Sequence, residues 1–222
     1  MGDQVPMSFG DVSAPPLPEQ LADFPTYGLA AGSVVVRIYR HVGGRSPLYY
    51  GGVSDHSGRF DPPPGVTDFG TLYAADNEDG SFAETLGRER HGQPISQTEI
   101  IARSVAALRT RADIRLADFT DRSIVGRFKL TASASAGADR DTIAACQRWA
   151  AALWSAGFSG VRYRARHDPS LRSMSYAVFS SPGEDDDANG PLEIAASLPL
   201  AMSTVTRLGR EFGFAVEPPA AI

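Results

Sequence analysis

Four polar side chains in this chain could carry chemistry: Arg37, Arg59, Tyr73 and Glu84. Arg37 interrupts the β-branched run Ser33-Val-Val-Val-Arg-Ile-Tyr-Arg40. A guanidinium drawn into such a strand must be paired or hold an anion, because stranding its charge away from water is costly. Arg59 sits in Ser57-Gly-Arg-Phe-Asp61, where Gly58 allows close backbone approach. Tyr73 lies near the end of the short apolar run Thr71-Leu-Tyr-Ala74, and Glu84 follows in Ser81-Phe-Ala-Glu84. Arginine forks bind phosphate oxygens bidentately, a carboxylate stabilises a nearby developing cation, and a tyrosine ring can wall an aromatic ligand.

Each residue also has an ordinary reading. Ser81-x-x-Glu84 is a capping-box pattern, in which the glutamate would bond the cap's backbone amide. Arg37 could pair with Asp118 or another strand acid, Arg59 could be a solvated loop residue, and Tyr73 could be core packing. Gln147 and Trp149 share an amphipathic helix, where Trp149 fits the core and Gln147 could be a satisfied polar residue. Arg162, Arg164 and Arg166 alternate and could form one solvated face.

Other chemistries find no support in the motifs. The histidines His41, His56, His91 and His167 and the single cysteine, Cys146, have no metal-ligand spacing. There is no Gly-x-Gly-x-x-Gly after a strand, no P-loop and no Gly-x-Ser-x-Gly elbow, which argues against a Rossmann dehydrogenase, a P-loop NTPase and an α/β-hydrolase.

The elements that would position these residues are partly legible. Residues 1–32, rich in Gly, Pro and Ser, read as a loosely ordered arm with a short helix near Pro18–Phe24, and 33–222 as one domain. Strands are expected at Ser33–Arg40, Thr71–Ala74, Ile114–Asp118, Gly160–Tyr163 and Ser175–Phe179. Helices are expected from Ser81 to about His91, from Asp141 to Ala156 with Gly157 just past its end, and over 203–212. Glu99–Leu108 fits helix or strand, Thr131–Ala138 reads as a loop, and 183–190 reads as a disordered acidic loop. Gly43–Gly70 is a long irregular segment of the kind that carries function when ordered. Strands and helices follow no βαβ rhythm, so the expected class is α+β, with mixed or antiparallel sheets and flanking helices.

The 222 residues suit a single domain, and the net charge of −5 gives no basic field for direct nucleic-acid binding. Lys129 is the only lysine, so the cationic side chains are planar arginine forks almost throughout. One cysteine forms no intrachain disulfide, no apolar run reaches bilayer-spanning length, and the start lacks signal-peptide character; a cytoplasmic protein without membrane contact is expected.

Taken in order, the segments resemble the RES-domain family from about Val34 to about Phe179. They are Val36-Arg-Ile-Tyr-Arg40, Pro47-Leu-Tyr-Tyr-Gly51, Gly58-Arg-Phe-Asp61, Thr71-Leu-Tyr-Ala-Ala75, Phe82-Ala-Glu-Thr-Leu86, Gln147-Arg-Trp-Ala150 and Gly157-Phe-Ser-Gly-Val-Arg-Tyr-Arg-Ala-Arg166. The pattern departs at Ala165, where many members carry a serine. Ser159, Ser170 or Ser175 could replace it in space.

The resemblance implies a fold like that of ADP-ribosyltransferase toxins. It implies a toxin of a toxin–antitoxin pair that breaks the nicotinamide–ribose bond of NAD⁺, with inorganic phosphate or water as acceptor. It assigns Glu84 and Arg59 to catalysis, and Arg37, Arg59, Tyr73 and Gln147 to binding NAD⁺ or phosphate. NAD⁺ is then a substrate, and no cofactor is implied. The implied protein partner is an antitoxin with a helix-turn-helix domain. Transfer of ADP-ribose to a macromolecule, and a non-catalytic NAD-binding or interaction module, are the alternatives. The oligomeric state is left open.

Overall fold

The β-branched and aromatic runs of this chain pair into an eight-stranded sheet of order β1-β6-β7-β8-β4-β2-β5-β10. The strands are β1 (Thr26–Leu29), β2 (Val34–Arg40), β3 (Tyr49–Tyr50), β4 (Gly70–Ala75), β5 (Arg103–Thr110), β6 (Ile114–Asp118), β7 (Gly160–Arg164), β8 (Met174–Ser180), β9 (Gly183–Glu184) and β10 (Leu192–Pro199). β3 and β9 form a separate small ladder. Neighbours in the large sheet run antiparallel, except β6 and β7, which run parallel. The helices are α1 (Glu78–Thr85), α2 (Gln97–Ile101), α3 (Ser123–Phe128), α4 (Arg140–Ser155) and α5 (Met202–Glu211). The structure is a computed structural model and describes residues 12–52, 58–87, 94–130, 134, 140–168, 170, 172–184 and 190–217. The expected α+β class, with a mostly antiparallel mixed sheet and flanking helices, is observed.

Three apolar clusters hold the layers together. Trp149 and Leu153 of α4 pack against Phe60, Phe119, Val161 and Tyr163. Val35, Leu72, Leu108 and Val178 fill a second cluster with Leu48 and Tyr50. Ile38, Phe82 and Leu86 meet Val205 and Leu208 of α5 in a third. Fully burying a Leu or Phe side chain stabilises the fold by about 1.5–3 kcal/mol. Period-two alternation is plain in β8, where Ala177 and Phe179 face the first cluster and Tyr176 and Val178 the second.

α4 ends as its sequence suggests. Gly157 takes φ 79, its amide donates to the Trp154 carbonyl at 2.9 Å, and the Phe158 amide donates to Leu153 at 3.0 Å. That is a Schellman termination, which favours glycine at this point.

Residues 12–32 differ from the loose arm expected, and residues 1–11 lie outside the described residues. Pro18–Leu21 forms a 3₁₀ turn and β1 pairs with β6 from Thr26↔Ala117 to Leu29↔Ile114. Leu21 and Phe24 are buried in the α4 cluster, and the Trp149 indole donates to the Ser13 carbonyl at 2.7 Å. Apolar burial outweighs the Gly- and Pro-rich composition here. Gly183 and Glu184, expected to be disordered, pair with β3; 185–189 lie outside the described residues, as does most of Thr131–Ala138. The ambiguous Glu99–Leu108 segment splits into α2 and β5, and the unanticipated β10 pairs with β5 at the edge of the sheet.

The start of α1 needs correction. Asn77, not Ser81, caps it, its side chain accepting from the Gly80 amide at 2.8 Å. Ser81 lies within the helix, and its hydroxyl accepts from the Ile38 amide at 2.7 Å, tying α1 to β2. Glu84 therefore sits in the last turn of α1, and the capping-box reading fails. No helix among the described residues is long and apolar enough to cross a membrane.

Candidate functional site

A cleft of about 490 Å³ opens where β2, the loop before β4, the end of α1 and the loop after β7 converge. Arg37, Arg59, Tyr73 and Glu84 all line it. Four residues separated in sequence thus share one cavity, each delivered by a different piece of local structure.

Arg59 stands on a tightly wired turn. The Tyr73 hydroxyl donates to Asp61 Oδ1 at 2.8 Å and accepts from the Phe60 amide at 2.9 Å. Asp61 Oδ2 accepts from the Gly58 amide at 2.6 Å. Thr71 Oγ1 donates to the Phe60 carbonyl at 2.7 Å, and Gln147 Nε2 donates to the Gly58 carbonyl at 3.0 Å. A Cβ on Gly58 would overlap the Tyr73 hydroxyl and the Asp61 carboxylate, so close approach requires glycine here. Burial, followed by the nearby Asp61 charge, raises the Tyr73 phenol well above its ordinary value, so it stays a neutral donor. Gln147 is itself buried and reaches the cleft only through Gly58. Tyr73 and Gln147 are therefore placed to hold the arginine turn.

Arg59 is buried, with 6% of its side chain exposed, and its Nη2 lies 3.7 Å from Glu84 Oε2. Its guanidinium also lies 4.8 Å from the centre of the Tyr163 ring. Glu84 Oε1 accepts from the His167 amide at 3.2 Å. A carboxylate in the last turn of a helix faces the negative end of the helix dipole, an unfavourable place. Arg59 and the His167 amide offset that cost and aim the carboxylate at the cleft. Burial, followed by Glu84, raises the Tyr163 phenol, which stays protonated.

Arg37 does not pair with Asp118, which instead meets Arg162 at 2.9 Å. Arg37 Nη1 donates to the Pro47 and Tyr49 carbonyls, each at 2.9 Å. No carboxylate among the described residues pairs with it. Burial lowers its pKa to about 10, so it keeps its charge at neutral pH but bears a desolvation cost that a bound anion would relieve.

Sequence reasoning missed several lining residues. Arg40, Arg45, Arg103 and Arg166 bring the cleft to six arginines against one carboxylate, Glu84. The cationic composition, arginine apart from Lys129, was the available signal, but nothing local said which arginines converge. Tyr163 and Arg166 lie within a motif quoted above, yet Arg166 joins the cleft instead of a solvated face. His167 also lines the cleft, its Nε2 accepting from Arg166 Nε at 2.8 Å. The turn carrying these two is held by Asp168, which accepts from the Ser170 amide and hydroxyl and from the Ser173 amide. Burial opposes the Asp168 charge, but these bonds outweigh it and hold its pKa below the ordinary value.

Ala165 is fully buried. None of Ser159, Ser170 and Ser175 is among the described residues lining the cleft: Ser170 bonds Asp168, and Ser175 is buried opposite Tyr163 in the β7–β8 register.

The model of the RES domain family matches residues 34–200. Among solved structures, a chain from the crystal structure of the M. tuberculosis MbcT–MbcA toxin–antitoxin complex is similar, with a TM-score of 0.62 at 18% identity. The match covers 82% of this chain and 91% of that one, and at this identity it shows a shared fold. No curated protein matches.

Proposed function

This chain belongs to the RES-domain family over residues 34–200, and from that premise we propose that its cleft breaks the nicotinamide–ribose bond of NAD⁺, as the toxin of a toxin–antitoxin pair. The observation that carries the reading is the Arg59–Glu84 pair, 3.7 Å apart at the wall of an arginine-lined cleft.

The chemistry follows from these groups. Cleaving the N-glycosidic bond sends its electron pair to the nicotinamide nitrogen, neutralises the pyridinium and leaves an oxocarbenium-like ribose. Glu84 supplies negative charge to that centre. An oxygen of orthophosphate or water then bonds to the anomeric carbon, and its proton is released. Arg59 holds Glu84 in place, and with Arg37 holds phosphate oxygens of the substrate or acceptor. Arginine suits the task because its planar fork meets phosphate bidentately. The aromatic ring of Tyr163, under the Arg59 guanidinium, closes the cleft wall. Tyr73 acts as a positioning residue, since its hydroxyl is committed to Asp61 and Phe60.

The toxin role draws on the family and on the similar fold found in a toxin–antitoxin complex. An antitoxin with a helix-turn-helix domain is the partner proposed, and any nucleic-acid contact belongs to it.

The test is incubation of the purified chain with NAD⁺, with and without orthophosphate, and the products resolved by mass. Free nicotinamide with ADP-ribose-1″-phosphate identifies phosphorolysis, and with ADP-ribose, hydrolysis. ADP-ribose attached to a macromolecule from added lysate overturns both in favour of transfer. Binding of NAD⁺ without turnover overturns the enzyme reading.

A further inference from the structure

Buried hydroxyls in this fold are committed to partners. Ser81 accepts from the Ile38 amide at 2.7 Å, Thr71 donates to the Phe60 carbonyl at 2.7 Å, and Thr110 donates to the Ala30 carbonyl at 2.6 Å. Ser175 departs from that pattern. It is 1% exposed, and its Oγ is sealed from solvent with no hydrogen-bond partner among the described residues. A buried hydroxyl left unpaired opposes folding, so its presence calls for a use in another state of the protein.

The sheet register fixes what Ser175 can reach. Its neighbours are Ala75 on β4 and Tyr163 on β7. Opposite residues of an antiparallel pair share one face, with Cβ atoms about 4.5–5.5 Å apart. Ala75 has no polar side-chain atom, so across the register Tyr163 is the side chain with a hydroxyl to offer. Tyr163 in turn lines the cleft, and its ring lies under the Arg59 guanidinium. Burial, then the Glu84 charge, hold its phenol protonated, and Arg59 and the Ser175 hydroxyl counter them in part. Glu84, Arg59 and Ser175 therefore surround one neutral phenol.

We propose that Ser175 is a positioning residue for the cleft: its hydroxyl engages the Tyr163 phenol when that phenol donates a hydrogen bond to bound substrate. The inference rests on the dinucleotide reading of the cleft for the identity of that substrate. A hydroxyl carries one donor and two acceptor lone pairs. With its hydrogen directed at a substrate oxygen, the Tyr163 oxygen accepts from Ser175, and each bond strengthens the other. The ring is then held in one orientation beneath Arg59, beside Glu84. No proton is transferred, and both hydroxyls stay neutral.

The test uses the full chain with Ser175→Ala, Ser175→Thr, Tyr163→Phe and the Ser175→Ala/Tyr163→Phe double variant. NAD⁺ consumption, NAD⁺ binding by calorimetry and thermal unfolding are measured on each. Loss of one neutral hydrogen bond corresponds to about three- to tenfold. Ser175→Ala should lower kcat/KM by that factor, while Tm stays level or rises because an unpaired buried hydroxyl is gone. Ser175→Thr returns the hydroxyl and should recover activity. Tyr163→Phe should lower kcat/KM at least as far as Ser175→Ala, and the double variant should be no worse than Tyr163→Phe alone, since Ser175 acts through the phenol. Wild-type kinetics in Ser175→Ala overturn the proposal. So does a lower Tm with losses that add to those of Tyr163→Phe, because Ser175 would then be a structural group independent of the phenol. A wild type that binds NAD⁺ without consuming it refutes the cleavage reading alone. The same non-additive pattern in NAD⁺ affinity then supports the Ser175–Tyr163 pair, and additive or absent losses overturn it. A wild type that does not bind NAD⁺ overturns both.

Discussion

Replacing Glu84 with glutamine separates its charge from its shape. Glu84 lies 3.7 Å from Arg59 and accepts the His167 amide at 3.2 Å. Glutamine preserves an acceptor oxygen for that amide and nearly the same volume, so the end of α1 and the 165–168 turn keep their contact. What disappears is the negative charge facing the cleft. A preorganised group aimed at developing charge contributes about 2.7–4 kcal/mol to the barrier, or about 10²–10³ in rate. The fold loses far less. Arg59 is buried but Glu84 is 19% exposed, and the pair lies beyond close contact. A stability change of about 1 kcal/mol is expected for such a pair, equivalent to a fall of about 2–4 °C in Tm for a domain this size. The assay is NAD⁺ consumption under initial-rate conditions, alongside thermal unfolding of the same preparations. A kcat reduced about 10²-fold or more with Tm nearly unchanged is the expected outcome. A folded Glu84→Gln protein consuming NAD⁺ at the wild-type rate would refute the reasoning, because the carboxylate charge would then have no part in the chemistry.

Three further outcomes follow from the site. Tyr73→Phe removes the donor to Asp61 and the acceptor for the Phe60 amide; unfolding in urea should show a loss of about 1–3 kcal/mol, with activity falling through displacement of Arg59. Gly58→Ala forces a Cβ against the Tyr73 hydroxyl and Asp61, and should lower both Tm and kcat/KM, whereas Gly126→Ala, within α3 and with open space around it, should leave kcat/KM unchanged and raise Tm slightly. Burial lowers the folded pKa of Arg37 to about 10, below its unfolded value, so the fold disfavours its charged form at neutral pH, and that penalty fades as pH rises above about 10. An anion bound there needs the proton, so added orthophosphate should raise Tm at neutral pH and lose that effect as pH rises through about 10; an effect persisting well above that range would place the anion elsewhere.

Much of the sheet was legible from residue type, because its strands are apolar runs that tertiary packing simply accepts. Ile114–Asp118 coincides with β6, and α4 and its Gly157 termination follow from composition and cap chemistry. Other features depended on contacts that no local pattern records. Ser81 resembles a cap, yet its hydroxyl serves a strand 43 residues earlier in the chain. Residues 12–32 look loose, yet Leu21 and Phe24 complete the α4 cluster and β1 extends the sheet. The same divide runs through the site. Arg37, Arg59, Tyr73 and Glu84 were found through ordered motifs and do share one cleft. Arg40, Arg45, Arg103 and His167 converge there only because β2, the loop after it, β5 and the 165–168 turn meet in space. Asp61 sat inside a quoted motif, but its role as the shared acceptor for Tyr73 and Gly58 is visible only in three dimensions.

The most direct test is a proton NMR time course of NAD⁺ mixed with the purified chain. Loss of the glycosidic nicotinamide resonances, with stoichiometric growth of free nicotinamide, is the expected result. NAD⁺ that stays intact at enzyme concentrations equal to its own, in the presence of orthophosphate, would contradict the assignment of this cleft to breaking that bond.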